Sequence, residues 1–518
     1  MPYFSGSVKL NVFLRGKFKN ILKNLSINGG VEILKAELSV NTNKKVLLQN
    51  GKINIRNNKA VLDSADVFYD DLETKISGEY RNIFGVYPVK FKLTSNFINL
   101  EKFIKKDLIV NKTVVSGVFN IPENHIKITS AKLNTLDGIV LLNGGYFINN
   151  GLADFSVKFK KVSLNKLKKI ISYTNRKLSG NIRGSSKLSF SINKRFRIKK
   201  LEGSVTGDIL YDSIKSSAII KFSQNDNEIR INNSFIKVFN NKVKVSGVYN
   251  LLNNNFKVAG TSSVRLGSLG LKELKGISDV SFSVSKAKTL NGTVKIYSDY
   301  IDWNKFKFYR TQSEFSFNDK LLFGSVRVKN FYKGNIVAFI TNNFSDNGLK
   351  VSGKGNKIRI GSLLKNRVTG DISGNLDFNF DLHKKDENYK GNLYFNVSKG
   401  EIADTEFQKG LGGFLGLLEG LEDIFYNNIT GVIQLNNNNV NIKSIKIICP
   451  DQKYFVAGKL GLDGKYLNID VQPQFNEEFV KNVPNFALQV LSKKNNWYYI
   501  QYINITSKNE KLLFRWKK

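Results

Sequence analysis

The chain has 518 residues, too many for one ordinary core, so several domains or one repeat array are expected. Lys and Arg number 80 against 42 Asp and Glu, a net charge of +38, and Cys449 is the single cysteine, which excludes an intrachain disulfide framework. Gly is plentiful at 41 and Pro scarce at 6, usage that suits strands and tight turns rather than disordered linkers.

The N-terminal residues Met1 to Gly6 run directly into alternation at Val8, Leu10, Val12 and Leu14, with neither the basic start nor the apolar stretch of a signal peptide. A pattern already under way at the first residue suggests the C-terminal part of a longer protein. No run of about 18 apolar residues is present, so no membrane-spanning helix is predicted.

From there one motif recurs: a short alternating strand, a small residue followed by Gly, then a hydrophobic or aromatic residue. It stands at Ile76 to Tyr80, Val115 to Phe119, Leu142 to Tyr146, Val245 to Tyr249 and Val456 to Leu460. The intervals Gly51 to Gly78 and Gly431 to Gly458 are both 27, and Gly117 to Gly145 is 28. Each reads as a three-stranded meander, with the glycines expected to serve turns and curvature.

Between these units the alternation has period two. Leu188, Phe190 and Ile192 share one face of a strand, as do Val280, Phe282 and Val284. Leu376, Phe378, Phe380 and Leu382 do the same, with Asn375, Asp377, Asn379 and Asp381 on the other face. One apolar and one polar face is the mark of an antiparallel sheet wet on one side. Turns are predicted at Asn149 to Gly151, Asn253 to Asn255, Asn436 to Asn439 and Asp463-Gly464, where Asn and Gly tolerate the positive φ that tight hairpins need.

A longer period overlies the first. Short helical segments at Ser163 to Ile171, Gly267 to Leu274 and Gly361 to Leu364 each precede a strand led by Gly180, Gly276 or Gly370, and those glycines are 96 and 94 residues apart. Leu164, Leu167 and Ile171 fall at helical spacing and are expected to cover a sheet edge or rim. One stretch breaks from the strand pattern: Leu411, Phe414, Leu415, Leu418, Leu421 and Phe425 fall on one helical face. Its polar side carries Glu419, Glu422 and Asp423 where a membrane-docking helix carries Lys or Arg, so a plug or rim helix packed on the sheet is favoured over membrane docking.

No catalytic chemistry is legible. His125 and His383 are far apart and read as turn residues, no Cys/His cluster has metal spacing, and no Gly-rich loop opens a helix with a phosphate-binding Lys. The chain is therefore expected to be no enzyme and to need no cofactor or metal. The excess of Lys is open to two readings, attraction to anionic partners such as lipid headgroups, or a compositional habit giving a well-solvated surface. The basic residues are dispersed through the strands, so no nucleic-acid-binding arm is predicted.

The stretch from Gly391 to Pro473 resembles the C-terminal region of the AsmA-like superfamily of bacterial envelope proteins, which includes TamB-type and YhdP-type members. The resemblance rests on Gly391 to Val397, Gly400 to Ile402, the Gly/Leu-rich segment, Ile429 to Ile433, Val456 to Leu462 and Leu467 to Pro473. Leu363-Leu364, Val368 to Gly370 and Gly374 to Leu376 also look like that family's helix-then-strand step. The resemblance implies a long sheet curled into an open groove with a lipid-lined interior, and a part in phospholipid traffic between inner and outer membranes. Phospholipids and envelope proteins would be the partners. The periplasm would be the location, with an inner-membrane anchor upstream of this chain.

The expected fold class is thus mostly β: a long, repetitive antiparallel sheet of roughly 35 to 40 strands curled into an open groove, with a few short helices. The expected organisation is 1–180 and 181–390 as groove repeats, the second with short helices, and 391–518 as the AsmA-like region. The lipid-facing candidates are Leu188, Phe190, Ile192, Val280, Phe282, Val284, Leu376, Phe378, Phe380 and Leu382. A structural or adhesive β-repeat protein is the alternative.

Overall fold

The computed structural model describes residues 3–16, 25–41, 44–69, 72–99, 101, 108–170, 178–191, 197–225, 227–270, 273–365, 370–405, 409–410, 423–437, 439–461, 467–481, 488–489, 491–508 and 511–517. Among them, 34 strands form one antiparallel sheet that is not closed into a barrel. Two compact units divide the chain, Met1–Val258 and Ala259–Lys518. The division falls within the strand Phe256–Arg265. Nearly every strand pairs with its neighbours in sequence, so local contacts build the fold and each hairpin sets the register of the next.

The hairpins are made by the residues that tolerate left-handed backbone. Asn57-Asn58 have φ of 48° and 65°, and Asn304-Lys305 have 50° and 66°, the paired positive φ of a two-residue turn. Asn254, Asn437 and Gly151 likewise take positive φ at turns expected from sequence. Asn58 also clamps the preceding hairpin: its side-chain oxygen accepts from the Ile27 N–H at 2.6 Å and its amide donates to the Leu25 carbonyl at 2.8 Å.

Three short helical elements stand where the longer period places them: α1 (Leu164–Ile170), a 3-10 turn (Leu266–Leu269) and α2 (Ile360–Leu364). Six strands separate each from the next. Gly180 and Gly276 both have φ of 131°, and a Cβ on either would meet a carbonyl oxygen of the adjacent strand, of Asp208 or Tyr300. Only glycine fits there, so the 96-residue spacing is a repeat of backbone geometry as well as of letters. Leu164 and Leu167 of α1 are half-buried, while Ile171 lies outside the described residues.

The strands bend at bulges. Pairing shifts at Phe159/Val162, Ile231/Ser234 and Gly355/Ile358. In each case the residue between, Lys161, Asn233 or Lys357, has φ of 51°, 46° or 53°. The residue that follows, Val162, Ser234 or Ile358, is buried on the inner side. A bulge bends and twists its strand, and small or compact residues at the crease let the two arms of the strand close on it. Ala65 occupies the corresponding place at the shift Leu62/Ala65, and at the shift Ile277/Asp279 the buried Ser278 lies opposite the bulge.

Two sequence expectations are corrected. Phe425 lies on the strand Asp423–Asn436, not on a helix. Ile424 and Tyr426 on either side of it are buried, so period-two alternation governs here and Phe425 points outward, 59% exposed. The other members of that proposed plug or rim helix, Leu411, Phe414, Leu415, Leu418 and Leu421, lie outside the described residues. His125 and His383 lie on strands, not in turns: His125 opens His125–Thr135, where it stacks on Phe147 across the strand pair at 4.1 Å, and His383 sits in Asn375–Lys385.

Candidate functional site: the apolar inner face

Register turns the separate alternating strands into continuous rows. In the second unit one row runs from Val280 through Ile296, Ser313, Val326, Ala338 and Gly353 to Phe380, then on to Leu393 and Ile433. The next runs from Phe282 through Val294, Phe315, Gly324, Ile340 and Val351 to Leu382. Candidates some 100 residues apart in sequence therefore lie on shared rows. Val284 begins a third row, which passes Gly292, Phe317 and Leu322 and reaches Lys384, where the face turns polar at its margin.

In the first unit Leu188 belongs to a row of its own. It joins Leu62, Gly78, Phe91, Gly117, Ile128, Gly144, Phe155 and Leu201 across nine strands. Phe190 stands in the adjacent row between Ala153 and Ile198, its ring 5.9 Å from that of Phe155. Ile192 lies outside the described residues.

These rows are not a packed core. From Val280 to Phe380 and from Phe282 to Leu382 every residue is half-buried and none is buried. Fully burying a side chain of this size yields about 1.5–3 kcal/mol, and a part of that, at most about a third, is left ungained at position after position. The margin beside α2 differs: there Val328, Phe331 and Ile358 are buried, with Phe306, Phe308 and Leu363 packed on them.

The C-terminal end of the second unit differs more. The row Leu376, Val397, Ile429, Ile447 and Tyr454 passes into a cluster with Val471, Phe475, Ile503 and Ile505, in which Tyr454, Val471, Phe475 and Ile503 are 0% exposed. The cover comes from α3 (Glu477–Val480) and the residues after it, with Asn476 capping the helix by accepting from the Phe479 N–H and Phe479 stacked on Phe475 at 4.7 Å. Burial pushes the Tyr426 hydroxyl up to about 12 and, together with the Asp451 charge, the Cys449 thiol to about 12. Both stay neutral at physiological pH, as groups in a dry core do. Of the lipid-facing candidates, Leu376 touches this core and, with Phe378, the cluster beside α2, while Phe380 and Leu382 lie further along the same strand.

One feature was missed from sequence. Nine inner-face glycines each have a phenylalanine directly opposite on the neighbouring strand, and its ring occupies the place of the absent side chain. A Cβ would come within 2.6 Å of Phe91 at Gly117, 2.7 Å of Phe155 at Gly144, and 2.9 Å of Phe159 at Gly184 and of Phe222 at Gly203. The same holds for Phe317 at Gly292, Phe315 at Gly324, Phe380 at Gly353, Phe378 at Gly355 and Phe395 at Gly431. The recurring-step glycines, expected to serve turns and curvature, lie mid-strand: Gly117 and Gly144 under rings, Gly78, Gly247 and Gly458 against backbone carbonyl oxygens of the neighbouring strand. The recurring Gly step carried the signal, but only the register says which Phe it meets.

The outer face is laced with exposed ion pairs, such as Lys295–Glu314 at 3.2 Å and Lys59–Glu79 at 3.0 Å, which contribute little stability, and it also exposes aromatic side chains such as Phe323 and Phe339. An open concavity of about 690 Å³ is lined both by inner-row residues, Phe378, Phe395 and Ile445 among them, and by Tyr394, Thr430 and Tyr502. No group of three or more His, Cys, Asp or Glu able to hold a metal occurs among the described residues. What the inner face offers chemically is contact, apolar and continuous across strands. Set against protein-family models the chain matches none, and set against curated proteins it finds no relative.

Proposed function

We propose that this chain is a non-enzymatic lipid conduit, moving or shielding phospholipid acyl chains along the half-buried inner face, in the manner of AsmA-like envelope proteins between inner and outer membranes. The observation that carries the reading is the continuity of the half-buried rows, such as Phe282 to Leu382, across successive strands. An apolar face left half-covered by its own chain is favourable only when something else covers it. Acyl chains have the right chemistry: they gain by leaving water, slide without directional bonds and need no catalytic group. Headgroups would stay in water, near margins such as that of Lys384. Phospholipids and envelope proteins are the proposed partners, the periplasm is the proposed location, and no nucleic acid is involved.

The second reading, a structural or adhesive β-repeat protein, is favoured by the packed C-terminal end, which is an ordinary core. Lipid analysis separates the two. The purified chain is incubated with phosphatidylethanolamine and phosphatidylglycerol vesicles, re-isolated, and its lipid counted by mass spectrometry. Several lipids per chain are expected for the wild type, with marked loss in F282D and in F378D. A wild-type chain that retains no lipid would overturn the conduit.

A further inference from the structure

The phenylalanines that lie over glycines do more than fill gaps. A side chain on a strand normally stands roughly perpendicular to the sheet. Over glycine a ring can instead lie down across the neighbouring strand, a known way of compensating a glycine within a sheet. Glycine inside a strand costs about 0.5–1 kcal/mol against Ala, and the chain accepts this at nine inner-face positions. A face selected only for packing would place β-branched residues there.

We propose that these glycines are positioning residues that keep the inner face open: each holds its opposing Phe ring down on the sheet, so that the space above the row stays free for an apolar chain. The inference rests on the conduit reading for its cargo, but its geometric content, free space above the rows, stands apart from it. Gly292 and Gly355 are the cleanest sites. At Gly292 the three nearest obstacles to a Cβ are all atoms of the Phe317 ring; at Gly355 they are two atoms of the Phe378 ring and the end of Ile358. At neither is the conflict with backbone, and neither has positive φ, so a larger residue displaces a ring without breaking the strand. Gly324 and Gly353 would in addition meet carbonyl oxygens and are poorer choices.

The test is a pair of rescue cycles in the full chain: G355V with G355V/F378A, and G292V with G292V/F317A. Two probes are used. The neutral dye N-phenyl-1-naphthylamine reports apolar space whether or not phospholipid is the cargo. Phosphatidylglycerol bearing a fluorescent acyl chain, moved from donor to acceptor vesicles, reports passage. Circular dichroism and urea midpoints confirm that each variant is folded, and G355A and G292A serve if a valine variant is not.

Expected are a drop of at least threefold in bound dye and tenfold in transfer for each valine variant, with return to within twofold of wild type when the ring is removed. A folded valine variant that binds dye as wild type does, or a loss that ring removal leaves unrepaired, would overturn the positioning role. Dye binding that follows the rescue pattern without any phospholipid transfer in the wild type would uphold open space and sink the conduit. A wild type that takes up neither probe would overturn both.

Discussion

Ile503 and Ile340 are the same residue type on the inner face of the same unit, and their truncation should cost very different amounts. Ile503 is 0% exposed, paired with Val471 on one side and Trp516 on the other. Ile503→Ala removes three carbons at about 0.8 kcal/mol each, about 2.4 kcal/mol. The cavity left in a packed site raises this to about 3–4 kcal/mol. Ile340 stands half-buried between Gly324 and Val351. There the transfer loss is cut by at most about a third, to about 1.6–2.2 kcal/mol, and on the conduit reading no closed cavity forms. The difference, about 1–2 kcal/mol, is read as a shift in urea midpoint at unchanged slope on delipidated protein. Trp497 and Trp516 report the C-terminal end and Trp303 the upstream strands. Equal costs at the two positions would mean that the inner face is packed throughout, and the distinction on which the conduit reading depends would fall.

Three further outcomes are expected. Burial raises Tyr426 to about 12 and Cys449 to about 12 from ordinary values of 10.0 and 9.0, so the folded chain holds both protons more tightly than the unfolded chain. Their contribution is whole below pH 9 and is lost as pH climbs towards 12; the midpoint of the C-terminal end should fall above pH 9, and Y426F/C449A should flatten that fall. Asn58→Ala gives up the hydrogen bonds with Ile27 and Leu25 and places Ala at φ 65°, at a combined cost of about 2–3 kcal/mol; hydrogen exchange at the Ile27 amide should quicken, and an unchanged rate would deny the clamp. The Lys453 Nζ lies 3.5 Å from the Trp497 ring centroid, so Lys453→Ala should cost about 0.5–1 kcal/mol and shift Trp497 emission, whereas an unmoved spectrum would show the contact to be idle.

The strand faces were readable because side-chain direction in a strand has a period of two, and Leu376 to Leu382 express it without interruption. The turns were readable because Asn and Gly are the residues that accept left-handed backbone, as Asn57-Asn58 and Asn254 do. The 96-residue spacing of Gly180 and Gly276 was readable because a φ of 131° admits nothing else. Phe425 was misplaced for a physical reason. It falls at helical spacing from Leu421, but Ile424 and Tyr426 on either side of it share a buried side that the strand provides. The Phe-over-Gly pairs could not be read at all: Gly355 and Phe378 are 23 residues apart, and which ring covers which glycine depends on the bulge between Gly355 and Ile358.

Apolar alternation therefore does not by itself distinguish a conduit from a core. A single row illustrates this. Starting at Phe378 it continues through Phe395, Gly431, Ile445, Val456 and Val471 to Ile503. Its residues stay apolar throughout, yet exposure falls from half-buried at Phe378 to 0% at Val471 and Ile503. What changes is the cover, supplied by α3 and the strands that follow it, and the composition of the row beneath. Up to Gly431 the row still pairs rings with glycines. Beyond it stand Ile and Val, and among the described residues no further cross-strand ring-over-glycine pair occurs. Where the chain supplies its own cover, β-branched side chains stand up and fill the space, as packing at crystal-like density requires. Elsewhere glycine lets the rings lie down, with Phe378 over Gly355 and Phe395 over Gly431 standing against the edges of the two packed clusters. On the proposed reading, the pairing of glycine with phenylalanine across strands, added to hydrophobicity along them, marks the part of the face that the chain leaves for other cover.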